Sequence, residues 1–153
     1  MKHKELHTAI DEEQTTMEAK HDSLKASYAI MEAAHNKLVA EHRAILGKEQ
    51  DSPQHIHLEI QHSEILDMYK ELLARDEELI VRHARLKKMY HRGDVNDHDA
   101  LSESNTLKAD HEELLVEHAA MEAEHQLIIA DHERMMDKHV HPKAKKQKPP
   151  SVD

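Results

Sequence analysis

Three stretches of this chain carry an apolar residue at every seventh position, and three residues ahead of each stands a residue that is most often His. The apolar row reads Ile10, Met17, Leu24, Met31, Leu38, Ile45, then Leu58, Ile65, Leu72, Leu79, Leu86, then Leu107, Leu114, Met121, Ile128, Met135. The row ahead of it reads His7, Gln14, His21, Tyr28, His35, His42, then His55, His62, Tyr69, Asp76, His83, Tyr90, then Ser104, His111, His118, His125, His132, His139. The two rows are the a and d positions of a heptad and form one seam along an α-helix, so the pattern predicts long helices packed on one another. Twelve of the 17 His stand on the a row. Leu or Ile there would bury more apolar surface, so stability alone does not account for them.

Breaks in the pattern divide the chain. Gly47 closes the first helix, and Ser52-Pro53 supplies an N-cap and first-turn pair for the second. The run from His91 to Asp97 is the next turn, with Gly93 as the stop and Asp97 or Asp99 as the cap. Pro142 ends the third helix. The expected helices span about 3–48, 53–91 and 97–141, each roughly 60–68 Å long at 1.5 Å per residue. Beyond them, 142–153 is a short basic tail expected to be disordered. Short loops make neighbouring helices antiparallel. The apolar stripe also widens at position e through Val39, Leu46, Leu66, Leu73, Ile80, Leu115, Ile129 and Met136. The expected fold is therefore all-α: one domain, an elongated antiparallel three-helix bundle or coiled coil with a heptad His seam.

Composition narrows the function. There is no Cys, which excludes disulfides, thiolate metal sites and Cys nucleophiles. A net charge of −10 disfavours general nucleic-acid binding. Protonating the His would outweigh that charge, so the chain changes sign in mild acid. No apolar run is long enough for a membrane span. The start, MKHKELH, lacks the apolar core of a secretory signal. That favours the cytoplasm by default, or the periplasm if a leader has been removed. With two Gly, no phosphate-cradling loop and no nucleophile elbow, nothing points to an enzyme.

The a row is suited to metal chemistry across helices rather than along one. Seven residues separate successive imidazoles by about 10 Å, too far for one ion bound at about 2 Å from each nitrogen. In the expected register, helices 1 and 3 pair His42 with His132, His35 with His125, Tyr28 with His118, and His21 with His111. Helix 2 supplies a d residue to each of these layers (Leu58, Ile65, Leu72 and Leu79), while its own a residues fall between them. His62 then lies between the His42 and His35 layers, and His83 between the His21/His111 and Gln14/Ser104 layers. Asp76 lies one layer from His21 and His111, a two-His-one-carboxylate set suited to Zn, Ni, Co or Fe. His3 and His7, His118 and Glu122, and Glu122 and His125 have chelating spacing. His118/Met121, His132/Met135 and Met136/His139 are nitrogen–sulfur pairs that Cu(I) or Ag(I) would accept. The candidate ligands are thus His21, His35, His42, His62, Asp76, His83, His111, His118, Glu122, His125, His132 and His139. Glu-x-x-His recurs at Glu18/His21, Glu32/His35, Glu59/His62 and Glu122/His125. A chain this rich in Glu and His produces such matches by chance.

The stretch from His118 through Met121, His125, His132, Met135 and Met136 to His139 resembles the His/Met helical repeats of periplasmic silver- and copper-binding proteins. The heptad His resemble the small His-rich metal-binding proteins of bacterial periplasms. The likeness implies sequestration of several soft or borderline ions in the periplasm. Helices 1 and 2 lack the His-x-x-Met pairs of that pattern.

The expected function is binding or buffering of transition metals (Zn, Ni, Cu or Co) through interhelical His pairs. The alternative is a structural or protein-interaction coiled coil in which polar His and Tyr layers set register. Its partner would be a second copy or another helical protein. A pH-responsive bundle is a third reading, since buried neutral imidazoles favour the folded state above their unfolded pKa and oppose it below.

Overall fold

The computed structural model describes residues 3–46 and 53–140, with the side chains of 45, 46, 54, 55 and 138–140 left aside. They form three helices: α1, His3–Leu46; α2, Pro53–His91; and α3, Asp97–Val140. There is no strand among the described residues. Gly47, Ser52 and the 142–153 tail, given roles above, lie outside the described residues, as do the side chains of Ile45, His55 and His139.

The α2–α3 turn shows how local chemistry stops one helix and starts the next. Gly93 takes φ of 81°, its amide donates to the Tyr90 carbonyl at 3.0 Å, and the Asp94 amide donates to the Met89 carbonyl at 2.9 Å. That pair of bonds satisfies carbonyls the helix end leaves open and needs a left-handed residue at Gly93. The cap of α3 is Asn96, one residue ahead of the earliest expected candidate. Its side-chain oxygen accepts from the Asp99 amide at 2.7 Å, and its carbonyl accepts from the Ala100 amide at 2.9 Å. Asp97 and Asp99 occupy the first turn instead, where negative charge faces the positive end of the helix dipole.

Cross-helix contacts fix direction. α1 meets α2 through Gln14–His83, His21–Asp76 and His42–Glu59, so the numbers descend on one helix as they rise on the other. α2 meets α3 in the same sense through Asp76–His111 and His62–His125. Both neighbouring pairs are therefore antiparallel. Ile10, Met17, Leu24, Met31, Leu58, Ile65, Leu72, Leu79, Leu86, Leu107, Leu114, Met121 and Ile128 are all buried. At about 1.5–3 kcal/mol per fully buried aliphatic side chain, this row is the main source of stability. Leu38 and Met135, nearer the far end, are half-buried. Of the e positions, Leu66, Ile80 and Met136 are buried, and Val39, Leu73, Leu115 and Ile129 are half-buried.

The register of α2 differs from the expected one. Its a residues lie level with the a residues of α1 and α3 rather than with their d residues. His83 bonds both Gln14 and Ser104, Asp76 bonds both His21 and His111, and Tyr69 packs on both Tyr28 and His118. The shift amounts to about three residues, or roughly 4.5 Å. A mixed a/d layer would set each imidazole against Leu or Ile and strand its ring N–H, at about 1–3 kcal/mol apiece. Aligning the a rows lets polar groups satisfy one another and leaves the layers between them to the aliphatic side chains. The pairing of helices 1 and 3 is as expected.

No helix is long and apolar enough to cross a membrane, among the described residues.

Candidate metal centre

The polar layers follow in order from the α2–α3 turn. In the first, His3 Nδ1 donates to Asp97 Oδ1 at 2.7 Å, the Tyr90 hydroxyl donates to the same oxygen at 2.8 Å, and the His7 ring stacks on Tyr90 at 4.3 Å. In the next, His83 is fully buried between Gln14 and Ser104. Gln14 Oε1 can only accept, so His83 Nδ1 carries the proton and donates at 2.8 Å, leaving Nε2 to accept from Ser104 Oγ at 3.0 Å. Burial, and then the charge of Lys87, holds the His83 pKa below its ordinary value.

Asp76 occupies the third layer with no exposed surface. Its two oxygens accept separately, Oδ2 from His21 Nδ1 at 2.7 Å and Oδ1 from His111 Nδ1 at 2.5 Å. His21 Nε2 lies 2.9 Å from Glu77 Oε2 at the rim. The three candidate ligands are thus brought together, and the carboxylate is satisfied by imidazole N–H groups.

The fourth layer is aromatic. Tyr28 and His118 flank Tyr69 at centroid distances of 5.5 and 5.0 Å, and the Tyr69 hydroxyl donates to the Leu24 carbonyl at 3.0 Å. Burial pushes the Tyr69 pKa up to about 12. His118 Nε2 lies 3.2 Å from Glu122 Oε1, out of line for a hydrogen bond.

His35, His62 and His125 share the fifth layer. His62 lies 4.4 Å from His35 and 4.5 Å from His125 between ring centroids, and the Nε2 atoms of His62 and His125 are 2.6 Å apart. One of those nitrogens donates and the other accepts, which requires at least one neutral ring. Burial, reinforced by His125, His35 and His132, pushes the His62 pKa down to about 3. Burial also lowers His125, with Glu122 opposing and His35 adding to the effect.

The sixth layer also draws potential ligands from all three helices, and among the described residues it is the group whose ligand atoms converge around one point. His42 of α1, Glu59 of α2 and His132 of α3 offer one ligand atom each, all within 4.8 Å of one another. Both His are buried and Glu59 is half-buried. His42 Nδ1 and Glu59 Oε1 are 2.8 Å apart, and the two imidazole centroids are 6.0 Å apart. Burial and then His42 lower the His132 pKa, against Glu59 and Glu41, which favours the neutral ring that a metal needs. Bonds of about 2.0–2.2 Å at tetrahedral angles put ligand atoms roughly 3.3 Å apart, against separations of up to 4.8 Å here. Three protein ligands leave a fourth position for water or another group.

Of the expected ligands, His42 and His132 therefore join this group. His21, Asp76 and His111 form a bonded triad, and His35, His62 and His125 form an imidazole layer. His83 bonds only amide and hydroxyl groups. The side chain of His139 lies outside the described residues. Glu59 is absent from the expected set. Its one signal is the Glu59-x-x-His62 spacing, which is indistinguishable in sequence from the other three matches of that motif.

The chain matches no family model, no curated protein and no solved structure.

Proposed function

We propose that this protein binds a borderline transition-metal ion through His42, Glu59 and His132, one ligand from each helix. The observation that carries this reading is the convergence of three ligand atoms within 4.8 Å from α1, α2 and α3. Two imidazoles and a carboxylate suit Zn, Ni, Co or Cu(II), with geometry and availability choosing among them. An ion held there ties the three helices together at the end farthest from the α2–α3 turn. The bundle reads as a heptad coiled coil, and its likeness to periplasmic His-rich metal-binding proteins lies in the same repeat. Isothermal titration of Zn(II) into the chelator-treated full chain tests the site. Binding of an ion that is lost in His42→Ala/His132→Ala and weakened in Glu59→Gln supports it, and equal binding by all three proteins contradicts it.

A second reading is favoured by the Gln14–His83–Ser104 and His21–Asp76–His111 layers. Their polar groups bond one another across the helices. Such layers set register and orientation, as polar a residues do in coiled coils, and suit a structural or protein-interaction role. The two roles occupy different layers and are compatible in one molecule.

A further inference from the structure

The end opposite His42 carries a second constellation of ligating groups. His3 and His7 are one turn apart on α1, and their Nε2 atoms are 2.9 Å apart. Two nitrogens bound to one ion at 2.0–2.1 Å in cis or tetrahedral positions stand about 2.8–3.4 Å from each other, so the observed separation already fits. What orients the rings is equally specific. His3 Nδ1 donates to Asp97 Oδ1 at 2.7 Å, which fixes the tautomer with a bare Nε2 lone pair. Asp97 is itself held by the Tyr90 hydroxyl at 2.8 Å. A carboxylate behind a ligating imidazole is the arrangement that holds metal-bound His in place. His7 is fixed by stacking on Tyr90 at 4.3 Å, and His91 packs against it at 4.4 Å with Nε2 bonded to Asp11 at 2.8 Å.

We propose that His3 and His7 form a second site for a borderline divalent ion, held between their Nε2 atoms and oriented by Asp97 and Tyr90. His3 and His7 are the ligands, and Asp97 and Tyr90 are positioning residues. The two sites stand roughly 55 Å apart along α1 at 1.5 Å per residue, so each works without the other. In the ion-free form, His7 Nε2–H donates to the His3 Nε2 lone pair. Binding replaces that hydrogen bond, and the His7 proton passes to Nδ1, so no net proton is released. His7 Nδ1 is buried with no hydrogen-bond partner, which restrains the affinity and makes this the weaker of the two sites. Because Asp97 opens α3 and Tyr90 closes α2, an occupied site joins the start of α1 to the turn between the other two helices.

The test uses Co(II) with the full chain carrying His42→Ala/His132→Ala, which isolates this site from the one proposed above. Co(II) is paramagnetic, so amide NMR shifts locate it. The expected result is saturable binding with the largest shifts around residues 3–7, 90, 91 and 97. Adding His3→Ala, an exposed position, should lower affinity at least tenfold while leaving the melting temperature in chelator unchanged. Asp97→Asn should lower affinity several-fold. Shifts centred elsewhere, or affinity indifferent to His3→Ala and His7→Ala, overturn the proposal. Loss of Zn(II) binding at His42 with retention of Co(II) here would separate the two readings.

Discussion

Asp76 and His111, on neighbouring helices and both buried, share a hydrogen bond of 2.5 Å between Oδ1 and Nδ1. His21 supplies the matching bond to the other carboxylate oxygen. A buried carboxylate that loses its donors, or donors that lose their carboxylate, costs about 3–5 kcal/mol. Asp76→Ala should therefore lower unfolding free energy by roughly that amount in urea melts. Replacing all three of His21, Asp76 and His111 by Leu should be neutral or stabilising. A loss below about 0.5 kcal/mol for Asp76→Ala, the ordinary scale of surface changes, would mean the triad is not formed.

The Gln14–His83–Ser104 layer predicts non-additivity. Removing Gln14 (Gln14→Leu) lets the His83 proton move to Nε2 and donate to Ser104, while Ser104→Ala leaves the Nδ1–H bond to Gln14 in place. Each single change should cost about 1 kcal/mol. The double change strands a ring N–H whichever nitrogen carries it, and should exceed the sum by roughly 1–2 kcal/mol. A double-mutant cycle with no coupling would contradict the bonding of His83 to both Gln14 and Ser104.

Stability should depend on pH with a definite sign. His62, His83, His125 and His132 all have pKa values lowered in the folded protein, chiefly by burial, with His62 at about 3. The unfolded chain then binds protons more readily than the folded one between the ordinary His value of about 6.5 and these lowered values. Their stabilisation is complete above that ordinary value and declines as the pH falls below it. Thermal melts in chelator should show the melting temperature rising from pH 3.5 to pH 6.5 and levelling above. A melting temperature that is flat across this range would remove the buried imidazoles as determinants of stability.

Gly93 sits at φ of 81° with open space where a Cβ would go. Gly93→Ala meets no neighbour, so its cost is the left-handed backbone alone, about 1–2 kcal/mol. Thermal melts should register that loss.

Much of this structure is legible in the sequence because seven-residue periodicity is a property of single helices. The helix limits follow from Pro53, Gly93 and the apolar rows, and the grouping of Asp76 with His21 and His111 follows from the need of a buried carboxylate for donors. The axial position of α2 does not follow in the same way. A shift of three residues leaves every d residue on the seam, so hydrophobicity alone does not select the register. Hydrogen bonding selects it, by aligning His83, Asp76 and His62 with their polar partners. Glu59 is hidden for a related reason. It lies beside the seam rather than on it, and only its position across from His42 distinguishes it from the many other Glu residues on these helices.

The most direct measurement is the thermal melt of the full chain in the His3→Ala background, in chelator and with saturating Zn(II) at pH 7.5, counting bound ions per chain. An ion at about 100 times its dissociation constant adds roughly 2.7 kcal/mol to stability, a visible rise in melting temperature. A metal centre at His42, Glu59 and His132 predicts that rise with an ion bound, and its loss when His42→Ala/His132→Ala is added. An equal rise in both proteins, or no rise and no retained ion in either, would contradict a metal centre at His42, Glu59 and His132.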